Sequence, residues 1–99
     1  MEIFETTKRV LELPPVLDLV AASSLLEAFM QHRGRAIRLD ASAVQRLGGQ
    51  CLQVLLAARA AWAADSQFFS IENGSDEFTA SLEFLGVTQA DLTHAEDAA

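Results

Sequence analysis

The chain is short of cysteine, proline and positive charge, and two of these shortages each exclude a class of explanation. Its one cysteine, Cys51, has no second thiol to join, so no disulfide forms within the chain and the core rests on ordinary side-chain packing. Seven Lys and Arg stand against fourteen Asp and Glu, a formal net charge of −7 that repels phosphate backbones and anionic lipid surfaces. Nucleic acid is therefore not expected as a partner. No apolar run reaches the roughly 20 residues of a membrane span, because Asp18, Arg38 and Arg59 interrupt the candidate stretches, so no direct membrane insertion is expected. The opening Met1-Glu2-Ile3-Phe4-Glu5 lacks the basic region and apolar block of a secretory signal. With the unpaired thiol, this reads as a protein of the reducing cytoplasm.

What is present is enough for one core: 99 residues, 51% of them hydrophobic, make a single domain. Residues 2–5 and 9–13 read as short strands joined by a turn at Thr6-Thr7-Lys8, and Pro14-Pro15, the only prolines, end the second. Over residues 21–32, Ala22, Leu25, Leu26, Phe29 and Met30 form one helical stripe, with Gly34 as the stop. Residues 36–40 alternate as a strand and lead through a loop at 41–48 into a long helix at 49–64, apolar on nearly every side. A strand at 67–71 closes on the turn Asn73-Gly74. Ser75 then caps a helix with Asp76 and Glu77 in its first turn, a buried stripe of Phe78, Leu82 and Leu85, and Gly86 with Val87 folding back at its end. The domain is expected to span residues 1–87, and the polar tail 88–99 to fray or form at most a short helical turn. The order strand, strand, helix, strand, helix, strand, helix gives an α/β fold, a small mixed β-sheet of four to five strands covered by helices on one side.

No arrangement of nucleophile, base and cleft points to catalysis. Gly48-Gly49 precedes a helix, but no lysine and no Ser or Thr follows to complete a phosphate loop, so a tight turn is the plainer reading. Asp40 ends a strand without the companion acids and lysine of a phospho-acceptor site and reads as a loop cap. Cys51 at a helix start is either a reactive thiol or a packed one. His32 and His94 lack the spacing of metal ligands, so no metal and no other cofactor is expected. Gln45, Arg46, Gln50 and Gln53 lie on or beside the loop before the long helix, where partner contact is plausible on exposure alone. Ser42, the one hydroxyl in that loop, reads as a turn former or a substitute phosphorylation site.

Three stretches carry a family resemblance: Val10 to Leu13 with Leu17-Asp18-Leu19, then Ile37-Arg38-Leu39-Asp40 running into the long helix, and Ser81-Leu82-Glu83-Phe84-Leu85-Gly86-Val87. In this order and spacing they resemble the STAS domain of bacterial anti-sigma-factor antagonists, over roughly residues 8–87. The resemblance implies a cytoplasmic binding module, switched in the best-known members by a kinase that phosphorylates a serine at the start of the helix after the third strand. Here that segment reads Leu47-Gly48-Gly49-Gln50-Cys51-Leu52, and the hydroxyl positions, Gly49 and Gln50, carry none. The chain looks like the short serine-less members found beside bacterial chemotaxis genes. The resemblance thus implies a non-enzymatic interaction module, anti-anti-sigma-like or chemotaxis-associated, whose partner is a cytoplasmic kinase, anti-sigma-like protein or chemotaxis component. The expected contact residues are Ser42, Gln45, Arg46, Gly48, Gly49, Gln50 and Gln53. Two alternatives stay open, a small structural subunit of a transporter ATPase complex and a weak nucleotide-binding domain. An apolar face on the long helix is also compatible with a homodimer.

Overall fold

A computed structural model describes residues 10–93. The elements run β1 (Val10–Glu12), β2 (Val16–Leu17), α1 (Leu19–Gln31), β3 (Ile37–Asp40), β4 (Arg46–Leu47), α2 (Gly49–Ala64), β5 (Phe69–Glu72), α3 (Asp76–Phe84) and a 3-10 turn (Ala90–Leu92). The fold is α/β, with a parallel sheet in order β1-β3-β5 beside a parallel ladder of β2 and β4. All described pairings are parallel. The strand expected at residues 2–5 and the turn at 6–8, which would make the sheet mixed, lie outside the described residues.

The register explains how the sheet takes sides. Leu11, Leu39 and Ile71 align across the three strands, as do Glu12, Asp40 and Glu72. Because successive side chains point to opposite faces, one face is apolar and the other carries those carboxylates with Arg38. Leu39, Phe69 and Ile71 from the apolar face join Leu25 and Phe29 of α1, Leu55 and Trp62 of α2, and Phe78 and Leu82 of α3 in one buried cluster. All three helices therefore cover the same side, as expected. On the outer face Arg38 reaches Glu72 at 3.5 Å, and Ser70 donates to the same carboxylate at 3.2 Å.

Several boundaries differ from the pattern reading. Helix α1 starts at Leu19, two residues early, because Asp18 adopts an extended backbone and its carboxylate accepts from the amide of Ala21 at 3.1 Å. Its stripe is narrower than expected: Leu25 and Phe29 are buried, while Leu26 and Met30 face outward. The loop at 41–48 contains β4, which pairs with β2 once Pro15 O accepts from the amides of Gln45 and Arg46 at 2.7 and 3.1 Å. Two residues on each side are too few to show a strand period.

Helix α3 matches its signals closely. Ser75 Oγ accepts from the amide of Phe78 at 2.9 Å, and the helix ends with Gly86 at φ +82° while Val87 N donates to Leu82 O at 2.9 Å. The core then continues past residue 87. The 3-10 turn buries Leu92 completely, Gln89 Nε2 donates to Ile71 O at 2.9 Å, and Arg59 Nε donates to Thr93 O at 3.1 Å. The expected short helical turn is there, and it is packed against the core. Gly74 leaves the room for this: a Cβ there would stand 2.8 Å from Gln89 Oε1 and 3.1 Å from the Phe78 ring.

Candidate protein-docking site at the head of the long helix

The β2–β4 ladder fixes the geometry of the site. Each strand runs straight into a helix, Leu17 through Asp18 into α1 and Leu47 through Gly48 into α2. Gly48 N donates to Leu17 O at 2.9 Å and the Cys51 thiol donates to Asp18 O at 3.3 Å, so the two helix heads adjoin. Only one of them is capped. Gly48 is extended at φ −98° and ψ 170° and brings no side-chain oxygen, so the leading amides of the 16-residue α2 gain no side-chain acceptor. The helix dipole gives this end a partial positive charge, and anionic or carbonyl groups are its natural complement.

Most of the expected contact residues assemble here. Gly49 and Gln50 are exposed in the first turn and Gln53 is exposed three residues on. Gln45 and Arg46 are exposed just upstream, held outward while Val44 and Leu47 are buried. Gly48 is half-buried as the cap. Ser42 is exposed but belongs to a different corner, since its loop is tied to the head of α3: Ser75 N donates to Ala41 O at 3.2 Å and Ser75 Oγ to Val44 O at 2.5 Å. Asp40 behaves as a loop cap, accepting from Ser42 N at 2.9 Å; that amide, then the Ser42 hydroxyl and Asn73, hold its carboxyl below the ordinary range.

Pattern reasoning missed the apolar flank. Leu19 and Val20 stand open at the head of α1, 69% and 83% exposed, beside the head of α2. Their phase was the available signal, because neither falls on the stripe through Leu25 and Phe29. Val20 also borders an apolar groove of about 530 Å³ between β1 and α1, lined in part by Leu13, Val16 and Leu25, with Asp18 at its edge.

A family model described as MlaB, STAS domain, matches residues 4–94. The chain belongs to the STAS domain family. No curated protein and no solved structure matches it. In this STAS domain the helix head that the family resemblance marks for phosphorylation carries Gly49 and Gln50, and neither side chain offers an oxygen nucleophile. Among the described residues no group of His, Cys, Asp and Glu is placed to hold a metal ion, and no helix is long and apolar enough to cross a membrane. His32 turns its Nδ1 to Ala28 O at 2.8 Å, and His94 lies outside the described residues.

Cys51 is the packed thiol rather than the reactive one. It is fully buried, and desolvation followed by the charge of Asp18 pushes its pKa up, so burial and Asp18 outweigh the pull of the helix dipole. The folded STAS domain is expected to resist iodoacetamide at neutral pH and to react once unfolded in urea. Intact-mass analysis reads both states, and rapid labelling of the folded chain would contradict the packing described.

Proposed function

We propose that this STAS domain is a non-enzymatic interaction module that docks a cytoplasmic signalling protein, a kinase, anti-sigma-like protein or chemotaxis component of a bacterium, on the head of α2. The observation that carries the reading is the uncapped, exposed first turn of α2, framed by Arg46, Gln50 and Gln53. A partner carboxylate or carbonyl there meets free amides and a guanidinium, and aliphatic side chains meet Val20. With glycine and glutamine at the hydroxyl positions, docking at this head is not broken by phosphorylation at the family position.

That same lack favours a second reading, a structural subunit held permanently on a transporter ATPase, because a constitutive contact needs no hydroxyl. Nucleotide binding at the glycine pair is disfavoured, since Gly48 serves as the helix cap and no lysine follows it.

The test uses two substitutions at exposed positions that oppose docking and leave the core untouched. A carboxylate at Gln50 sits in the first turn of α2, where the dipole stabilises it by about 0.3–1 kcal/mol. The Arg46→Glu, Gln50→Asp double variant is expected to melt close to wild type, since both positions are exposed, and to lose the partner in affinity capture from native extract. Mass spectrometry of the captured protein separates signalling component from ATPase. A partner retained by the variant would remove the α2 head as the interface.

A further inference from the structure

We propose that two copies of this chain pair through α1, antiparallel about a two-fold axis, each seating Leu19 against the pocket of the other. The outward side of α1 carries Leu19, Ser23, Leu26 and Met30, and Arg33 continues the line just past the helix. Steps of four, three and four residues are the spacing by which two helices interlock along a seam. Leu26 is 48% exposed and Met30 66%. Three large apolar side chains, Leu19, Leu26 and Met30, stand open along one line that only Ser23 interrupts, and such a line marks a surface meant to be covered.

The row is not uniform, and its asymmetry identifies the occupant. At the C-terminal half a shallow pocket of about 90 Å³ opens between α1 and α2, lined by Leu26, Met30, Val54, Ala57 and Ala61 among others, where the alanines leave room for an incoming side chain. At the N-terminal half stands Leu19, which is not among the residues lining that pocket on its own copy. A two-fold axis between Ser23 and Leu26 sets Leu19 opposite Met30 of the other copy, and Ser23 opposite Leu26. Both ends are then satisfied by one symmetric contact that closes on itself.

The charges select the same direction. Asp18 stands at the N-terminal end of the seam, Arg33 at the C-terminal end and Glu27 beside the middle. Antiparallel pairing brings each Asp18 towards the other copy's Arg33, which is half exposed although it already holds Asp65 at 2.9 Å. It also separates the two Glu27 side chains along the axis and opposes the helix dipoles. Parallel pairing would set Asp18 on Asp18 and Glu27 on Glu27. For a chain of net charge −7, this face lets a second copy approach without like charges meeting along the seam. The inference does not rest on the α2 head.

Sedimentation equilibrium of the full chain at tens of micromolar is expected to give twice the 10.7 kDa chain mass. Leu19→Lys and Met30→Glu are each expected to bring it to the single-chain mass with an unchanged circular dichroism spectrum, since both side chains are mostly exposed. An equimolar mixture of the two variants is expected to regain the double mass, because the introduced lysine of one then faces the introduced glutamate of the other. A wild-type chain of single mass overturns the proposal and leaves the seam to a different partner. A dimer that survives in both variants places the contact elsewhere, and a mixture no heavier than its components overturns the antiparallel register.

Discussion

Trp62→Ala is expected to cost about 3–5 kcal/mol, the range for emptying a buried tryptophan site, and so to leave the domain partly unfolded at ordinary temperature. Trp62 has no solvent exposure, stands edge-on to Phe29 with centroids 5.9 Å apart, and lies 5.7 Å from Phe69, so a single side chain joins α1, α2 and β5. Its Nε1 donates to Arg35 O at 2.6 Å, which fixes the turn entering β3. A domain of this size has a total stability of roughly 5–15 kcal/mol, and a loss of this scale removes a large part of it. Trp62→Phe keeps most of the contact and removes the donor, and is expected to cost less, of the order of the ~1 kcal/mol of one hydrogen bond plus a small void. Urea unfolding followed by circular dichroism measures both. A shift below 1 kcal/mol for the alanine variant would mean that the aromatic cluster is not what holds the three elements together.

Ending the chain after Val87 is the second large effect. It removes the fully buried Leu92, the Gln89 bond to Ile71 O and the Thr93 carbonyl that receives Arg59. Loss of a buried leucine down to alanine alone costs about 2–5 kcal/mol, and deleting the whole turn also opens the core beneath it to water. The truncated chain is expected to lose cooperative thermal unfolding or to melt far below the full chain. Leu92→Ala in the full chain isolates the packing part. If the truncation melts with the full chain, the turn is a passenger and the domain does end near residue 87.

The helices were legible where a local signal and a burial pattern agreed, as in α3, where Ser75, Asp76 and Gly86 mark both ends without reference to the rest of the chain. The β2–β4 ladder was not, because two-residue strands have no readable period and form only when Pro15 O is brought to Gln45 and Arg46. Leu92 was missed for a similar reason: one leucine in a polar, alanine-rich stretch looks solvent-bound until the chain returns it to α2. At the candidate site, the uncapped α2 head followed from Gly48 and Gly49 in one dimension. The exposure of Leu19 and Val20 did not, since it depends on how α1 is rotated against the sheet.

The wholly parallel pairing of the described strands has a consequence for how the molecule divides its labour. When β1, β3 and β5 point the same way, each helix must start near the strand tips and carry the chain back. The starts of α1, α2 and α3, with the loops 13–15, 41–45 and 73–75, therefore gather at one rim, and α1 and α2 end at the opposite rim, where Trp62 meets Arg35 and Arg33 meets Asp65. If the proposed docking lies at the first rim, its exposed residues are free to vary while the buried residues of both rims hold the layers in register. Substitutions at the exposed positions of the first rim, such as Ser42, Gln45 and Arg46, are then tolerated, whereas the buried Leu13, Ala41 and Val44 of the same loops are not.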